Sequence, residues 1–489
     1  MRRSRSRSPS DPGSGRSSPA ELHSAASSPR GPAPPSAAPT AGAPAWSEAQ
    51  AERYLRSLEL FGMRFGLDRM RRMMTALGSP ERRFEAIQVL GTNGKSSTTR
   101  MIAAILERHG LRTGAYLSPH LTSYCERVQI AERDIEGEEF AAAVARAARA
   151  AERVNRTLGG EDHVTQFELL TAAAFWEMAR QEIEVAVVEA GLGGRYDATS
   201  VIEPRVSVLT NVGLEHTRWL GPTVKDIAEE KLAALRPSST LVLAGDLDER
   251  ALTVASRVAG EREARIVFAS PPAPSTRLLA MGAFQRRNFA LARAAAGAYL
   301  GEAGIELSER FFDDAAASTA VAGRLDLVDE DPPTVLDGAH NPDAARALVE
   351  SLPEALGTGP LALVLGVLED KDAASMLATL LPVCERAWFT APPSARALPP
   401  ATLGSLARQL GFQAMSCEPR PSRALAEARR WARENGGAVL ATGSVYLIGD
   451  LLAELEASGR LRRAQAQAQR STQAQALHSA NAQAQRPGR

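Results

Sequence analysis

The chain has 489 residues, 44% of them hydrophobic, and its 57 basic side chains are balanced by 57 acidic ones. That supplies apolar material for two or three packed domains, and the cancelled charge argues against a nucleic-acid or polyanion partner. Three cysteines without a CxxC pair exclude a disulfide framework and point away from a thiolate metal site; no apolar run reaches the roughly 20 residues of a membrane span, so a soluble, cytoplasmic protein is expected.

Residues 1–46 are mostly Ser, Pro, Arg, Ala and Gly, and so few large apolar side chains cannot offset the entropy of ordering. A disordered tail is expected there. Its RRSRSRS start fits an RNA-binding or targeting arm, but such tails are common without either role, and the plainer reading is kept. Next, EAIQVLG (85–91) reads as a strand, SSTTRMIAAILERHG (96–110) as a helix and TGAYLS (113–118) as another strand. This βα order predicts a mostly parallel sheet covered by helices. EVAVVEAG, VSVLTNVG, TLVLAG and ARIVFA continue the series. The pattern breaks at AVAGRLDLVDEDPP (320–333), and TVLDG, LALVLGV, RAWFTA and AVLATGS then form a second βα series. The expected organisation is an α/β domain over 47–320 and a smaller Rossmann-like α/β domain over 321–459, joined around Gly323, with a second tail of Ala-Gln repeats over 460–489. No repeat of solenoid period is visible.

The stretch IQVLGTNGKSSTTR (87–100) places a glycine-flanked turn between strand and helix. Backbone N–H groups and the positive end of the helix dipole would surround one anion-sized volume there, with Lys95 in reach of terminal phosphates. The strict P-loop pattern is not met, since Val89 stands where its first glycine belongs. An ordinary Ser-capped helix start is the competing reading of the turn alone.

Other blocks decide between the two. GTNGK is followed by YLSPHL (116–121), YCERV (124–128), FELLTAAAF (167–175), VVEAGLGGRYDATS (187–200), LTNVGLEHTRWLG (209–221), IAEEK (227–231), FQRRN (284–288), GRLD (323–326), LDGAHNP (336–342), LEDKD (368–372) and TGSVYL (442–447). In this order they resemble the folylpolyglutamate synthase/dihydrofolate synthase family, a branch of the Mur ligase superfamily, over roughly residues 50–458. The resemblance implies a Mur-ligase-like P-loop ATPase domain and a glutamate-ligase domain. It also implies ATP-driven amide formation: a substrate carboxylate takes the γ-phosphoryl group of ATP, and the amine of glutamate displaces phosphate from the acyl phosphate.

Phosphoryl transfer needs charge neutralisation more than covalent help. By resemblance, Thr92, Asn93, Gly94, Lys95, Ser96 and Ser97 hold the phosphates, while Asn288, Arg324 and Asp337 contact ATP. Ser118, Glu189 and His216 are the implied ligands of Mg²⁺, expected as two ions, and Lys231 matches a lysine carbamoylated by CO₂ near the second. A histidine is an unusual partner for a hard cation, and by itself His216 reads as a loop residue. Lys231 by itself reads as an exposed helix lysine, although no carboxylate stands three or four positions away to pair with it. Arg324 would swing onto the γ-phosphate on closure, and His340 joins Asp337 at the interdomain site. Phe167, Asp197 and Ala198 match the pterin-binding positions, where an aromatic face and a carboxylate suit a flat heterocycle with N–H donors.

Several positions depart from the family pattern. Ser96 stands for Gly, Glu215 for Asp, Ser200 for Asn, Cys125 for Asn, Phe284 for His, and KLAAL for KAGI. The rival reading is a cell-wall Mur ligase acting on a UDP-muramyl precursor, whose extra domain of roughly 100 residues ahead of the phosphate turn has no room in the 45 or so foldable residues before Gly91. The expected partners are ATP, L-glutamate and dihydropteroate or folates, with no nucleic acid or membrane, bound by a monomer.

Overall fold

A computed structural model of the chain describes residues 45–58, 65–160 and 162–459. The expected tail over 460–489, and that over 1–46 apart from its last two residues, lie outside the described residues. Two sheets organise the chain. The first contains β1 (Glu85–Leu90), β2 (Thr113–Tyr116), β3 (Val128–Ile130), β4 (Arg133–Asp134), β5 (Val185–Glu189), β6 (Val206–Leu209), β7 (Thr240–Ala244) and β8 (Arg265–Ala269), in the order β4-β3-β2-β5-β1-β6-β7-β8. From β2 to β8 every pairing is parallel; β3 and β4 add an antiparallel edge.

The second sheet contains β9 (Asp326–Glu330), β10 (Pro333–Leu336), β11 (Leu361–Leu365), β12 (Arg386–Phe389), β13 (Met415–Cys417) and β14 (Ala438–Thr442), ordered β13-β12-β11-β14-β10-β9. Only β9 runs antiparallel. Its sequence, DLVDE, lies inside the segment read as a break, so the junction is shorter than it looked. Among the described residues, no helix is long and apolar enough to cross a membrane.

Strands buried on both faces explain the unbroken apolar runs. All five residues of β5 are buried, and so are all five of β7, β11 and β14, because helices cover both sides of each sheet. The helix Lys95–Arg108 illustrates the packing. Ile102 and Ile105 are fully buried in the same core cluster as Ala292 and Ala296 of the helix Ala283–Glu302, whose small residues suit a close approach of helices. Burying each isoleucine contributes on the order of 1.5–3 kcal/mol.

Parallel register then brings the functional strand ends together. Val89 of β1 lies opposite Glu189 of β5, Leu90 opposite Leu209 of β6, and Tyr116 of β2 opposite Val188 of β5. Four carboxyl ends therefore share one edge, the place where open α/β sheets collect their sites.

Candidate functional site

The loop after β1 is shaped by two glycines. Gly91 has φ +146° and Gly94 φ +81°, and a Cβ at either would strike the Thr210 hydroxyl or the Asn288 carboxamide oxygen respectively. Only glycine meets both demands there. The loop is clamped from below by the residues after β6. Thr92 and Asn93 donate their N–H groups to the Asn211 carboxamide oxygen at 3.3 and 2.8 Å, and Thr210 Oγ1 donates to Asn93 O at 2.6 Å. Those two N–H groups are thereby engaged, so the amides left to meet an anion are those at Gly94 and in the first turn of the helix Lys95–Arg108. Lys95 Nζ donates to Thr92 O at 3.1 Å, folded back on its own loop.

Lys231 overturns the exposed-lysine reading. It belongs to the helix Val224–Leu232, is only 4% exposed, and donates from Nζ to Gly91 O at 2.7 Å. Burial, reinforced by repulsion from Lys95, pulls its pKa down to about 7. Glu189 closes β5 and is 1% exposed. Its carboxylate accepts from Ser118 N at 3.1 Å, and burial pushes its pKa up against the opposing pull of Lys95, that amide, the Ser96 hydroxyl and Arg324. A buried carboxylate that its neighbours stabilise incompletely, bordered by the hydroxyl residues Ser96 and Ser118, suits a hard cation. His216 is the α-left residue of the loop after β6, at φ 53°, and burial holds its pKa down. Among the described residues no three His, Cys, Asp or Glu side chains cluster as a metal site. Any cation here therefore relies on hydroxyl, phosphate or modified-lysine oxygens as well.

Beside His216 the two lobes meet. Glu215 Oε1 lies 3.0 Å from His340 Nε2 and 2.8 Å from Lys371 Nζ, both in the second lobe. Burial would raise the Glu215 pKa, but these two partners outweigh it and hold the group far below the carboxylate range. His340 Nδ1 sits 2.9 Å from Gly338 O, so acceptors face both ring nitrogens. Asn93 and Asn341 add a reciprocal amide pair across the lobes at 3.2 and 2.9 Å.

Asp337, 3% exposed, spends its oxygens on Leu325 N and Ala339 N, both at 2.7 Å, tying the Arg324 segment to the LDGAHN turn. Burial raises its pKa and Arg324 opposes the rise. Asp197 works similarly. It accepts from Leu192 N at 2.7 Å and from Thr199 N and Oγ1 at 3.0 and 2.6 Å, so it caps its own loop beside Ala198, and burial raises its pKa. Phe167 packs over Gly191, where a Cβ would meet its ring at 2.5 Å. Asn288 is held by Gln285 at 3.0 Å.

Every residue singled out in the sequence lines one cavity of about 750 Å³: the phosphate loop 92–97, Ser118, Phe167, Glu189, Asp197, Ala198, His216, Lys231, Asn288, Arg324, Asp337 and His340. Glu215 and Asn211 line it too, while Lys371 and Asn341 bond to the lining residues Glu215 and Asn93. Sequence reasoning gave none of these four a role. Their pairings span 118 to 248 residues, and no local pattern reports such distances.

Residues 89–270 match the Mur ligase middle domain and residues 323–445 the Mur ligase glutamate ligase domain. Fold and site thus define a Mur-ligase-type protein. Dihydrofolate synthase/folylpolyglutamate synthase of Bacillus subtilis (strain 168) is 30% identical over 419 residues, which are 81% of this chain and 96% of that protein. Solved structures agree. Mycobacterium tuberculosis folylpolyglutamate synthase complexed with ADP has TM-score 0.77 at 28% identity, covering 83% of this chain and 97% of the other. A bifunctional folylpolyglutamate synthase/dihydrofolate synthase from Yersinia pestis complexed with AMPPNP and Mn ion has TM-score 0.72 at 27% identity, covering 84% and 98%. The chain belongs to the dihydrofolate synthase/folylpolyglutamate synthase family.

Proposed function

We infer that this protein is an ATP-dependent ligase that joins L-glutamate to dihydropteroate and to folyl-glutamates. The observation that carries the reading is one cavity bounded by the phosphate loop, Glu189 and the second lobe's Arg324 and His340. Relatives bearing both activity names support it.

In this reading the terminal phosphates lie against the amides of Gly94–Ser97, and Lys95 leaves Thr92 O to meet them. Ser118, Glu189, His216 and a carbamoylated Lys231 would hold divalent cations, two in number, which neutralise phosphate oxygens when bound. At neutral pH a lysine titrating near 7 is substantially uncharged. Its amine can therefore attack CO₂, forming the N–C bond of a carbamate and releasing one proton. Unmodified and protonated, the same group would repel a cation.

Phe167, Asp197 and Ala198 would seat the pterin, with the substrate carboxylate directed towards the phosphate loop. That carboxylate attacks the γ-phosphorus, ADP leaves, and an acyl phosphate forms. The glutamate amine then attacks the acyl carbon and expels phosphate, which takes up the proton the amine sheds, while His340, held between Glu215 and Gly338 O, would help bring the two lobes onto the reacting groups. Arg324 and Asn288 would steady the nucleotide, with Asp337 holding the Arg324 segment. Domains at 47–320 and 321–459, a monomeric state and a cytoplasmic setting complete the reading; three free cysteines accord with a reducing compartment.

The test is phosphate release with ATP, Mg²⁺ and glutamate against dihydropteroate, tetrahydrofolate derivatives and a UDP-muramyl substrate. Turnover with the first two is expected; turnover with the last alone would overturn the assignment.

A further inference from the structure

One contact in the site serves neither the core nor, directly, a ligand. Asn341 ends the LDGAHN turn and begins the helix Pro342–Leu356 of the second lobe, where its Oδ1 accepts from Ala344 N at 2.9 Å. The same oxygen accepts from Asn93 Nδ2 at 3.2 Å, and Asn341 Nδ2 donates to Asn93 Oδ1 at 2.9 Å. Asn341 is 4% exposed, so an unmatched amide here would be costly. Capping alone does not explain an asparagine, because Asp and Ser cap a helix about as well but neither can return a hydrogen bond to a carboxamide oxygen at this reach.

The partner matters as much as the bond. Asn93 sits immediately before Gly94, the left-handed residue that turns the loop into its helix, and its N–H and C=O are already held by Asn211 and Thr210. Its side chain thus makes, with Asn341, the two hydrogen bonds that join the phosphate loop to the second lobe among the described residues. The helix it meets also closes on the loop after β6: a Cβ at Gly213 would strike the Asp343 carboxylate. Unlike the neighbouring Glu215–Lys371 ion pair, the amide pair is neutral and is indifferent to salt and pH.

We propose that Asn341 is a positioning residue, which through Asn93 couples docking of the second lobe to the shape of the phosphate loop. The loop is then set for phosphoryl transfer only when the second lobe, carrying Arg324 and His340, has closed. This rests on the ligase reading for its catalytic part, and not for its structural part.

The experiment compares the parent with Asn341→Ser, which keeps the helix cap, with Asn93→Ala, and with the double variant. Three readouts are used: hydrogen exchange over residues 91–97 without ligand, kcat by phosphate release, and ADP affinity by calorimetry. Losing two hydrogen bonds should quicken exchange and lower kcat by about ten- to fifty-fold in Asn341→Ser, with ADP affinity changed less than about threefold. The double variant should be no worse than the poorer single one, since both remove one coupling. Unchanged exchange in Asn341→Ser overturns the proposal, as do effects that multiply or a loss confined to ADP affinity. A parent protein without turnover on any pterin would instead sink the ligase reading, and exchange would still decide the coupling.

Discussion

Replacing Lys231 with Met should abolish turnover while reversing the usual cost of mutating a buried residue. The amine has a pKa near 7 in the folded protein against 10.5 for an ordinary lysine, because burial and Lys95 disfavour its charge. A depressed lysine pKa makes the folded state bind fewer protons than the unfolded chain between those values, so this group's contribution to stability rises with pH across the window from about 7 to 10.5. Each pH unit inside it is worth at most about 1.4 kcal/mol. Raising the pH from about 7 to about 9 should therefore add roughly 2–3 kcal/mol to the parent relative to Lys231→Met. Against this, the variant leaves Gly91 O without its donor, a loss of about 1–3 kcal/mol that does not vary with pH. Urea unfolding of both proteins at the two pH values measures the difference. A pH-independent gap would refute the reasoning, since it would mean the amine is not desolvated. The same desolvation keeps the amine reactive. At about pH 7.5 roughly three quarters of it is neutral, against about one part in a thousand for an unperturbed lysine. A carbamate carbon signal from labelled CO₂ should appear in the parent and vanish in Lys231→Met.

Other groups yield sharper activity predictions. Lys95→Ala should eliminate phosphate release with every pterin and leave the far-ultraviolet circular dichroism unchanged; retained activity would remove the phosphate role. Glu189→Gln should also lose activity yet raise the urea midpoint at neutral pH in the absence of divalent cation. The Glu189 pKa is raised by burial, so its stabilising contribution is complete below the ordinary carboxylate range and is lost as pH climbs through the folded value. Glu215→Gln strips the charge partner from Lys371, whose side chain is 11% exposed, and should cost about 3–5 kcal/mol of second-lobe docking. Because the Glu215 pKa is lowered, that contribution exists above the ordinary carboxylate range and fades as pH falls, so the gap between parent and variant should narrow in acid.

Much of the site could be read from the chain because its parts are local. GTNGKS needs its glycines for a left-handed turn and its lysine beside a helix start, and both demands act within six residues. The unbroken apolar runs of β5 and β7 likewise announced strands buried on both faces. Short or polar strands escaped: β4 is Arg133–Asp134 and β13 Met415–Cys417, and only pairing with a neighbour makes either one a strand. Glu215 and Asn341 lie within quoted motifs, yet their partners are 156 and 248 residues away.

The sequence by itself determined the alternation of strands and helices, the anion-binding turn and the residue types able to handle phosphate, cation and pterin, since these follow from short-range sterics and side-chain chemistry. Tertiary structure alone decided that Lys231 is buried beside Gly91, that Asp197 and Asp337 are spent on their own loops, and that Glu215 and Asn341 join the lobes. Burial sets the cost of a charge and long-range packing chooses its partner, and neither quantity is encoded within a few positions of the residue that feels it.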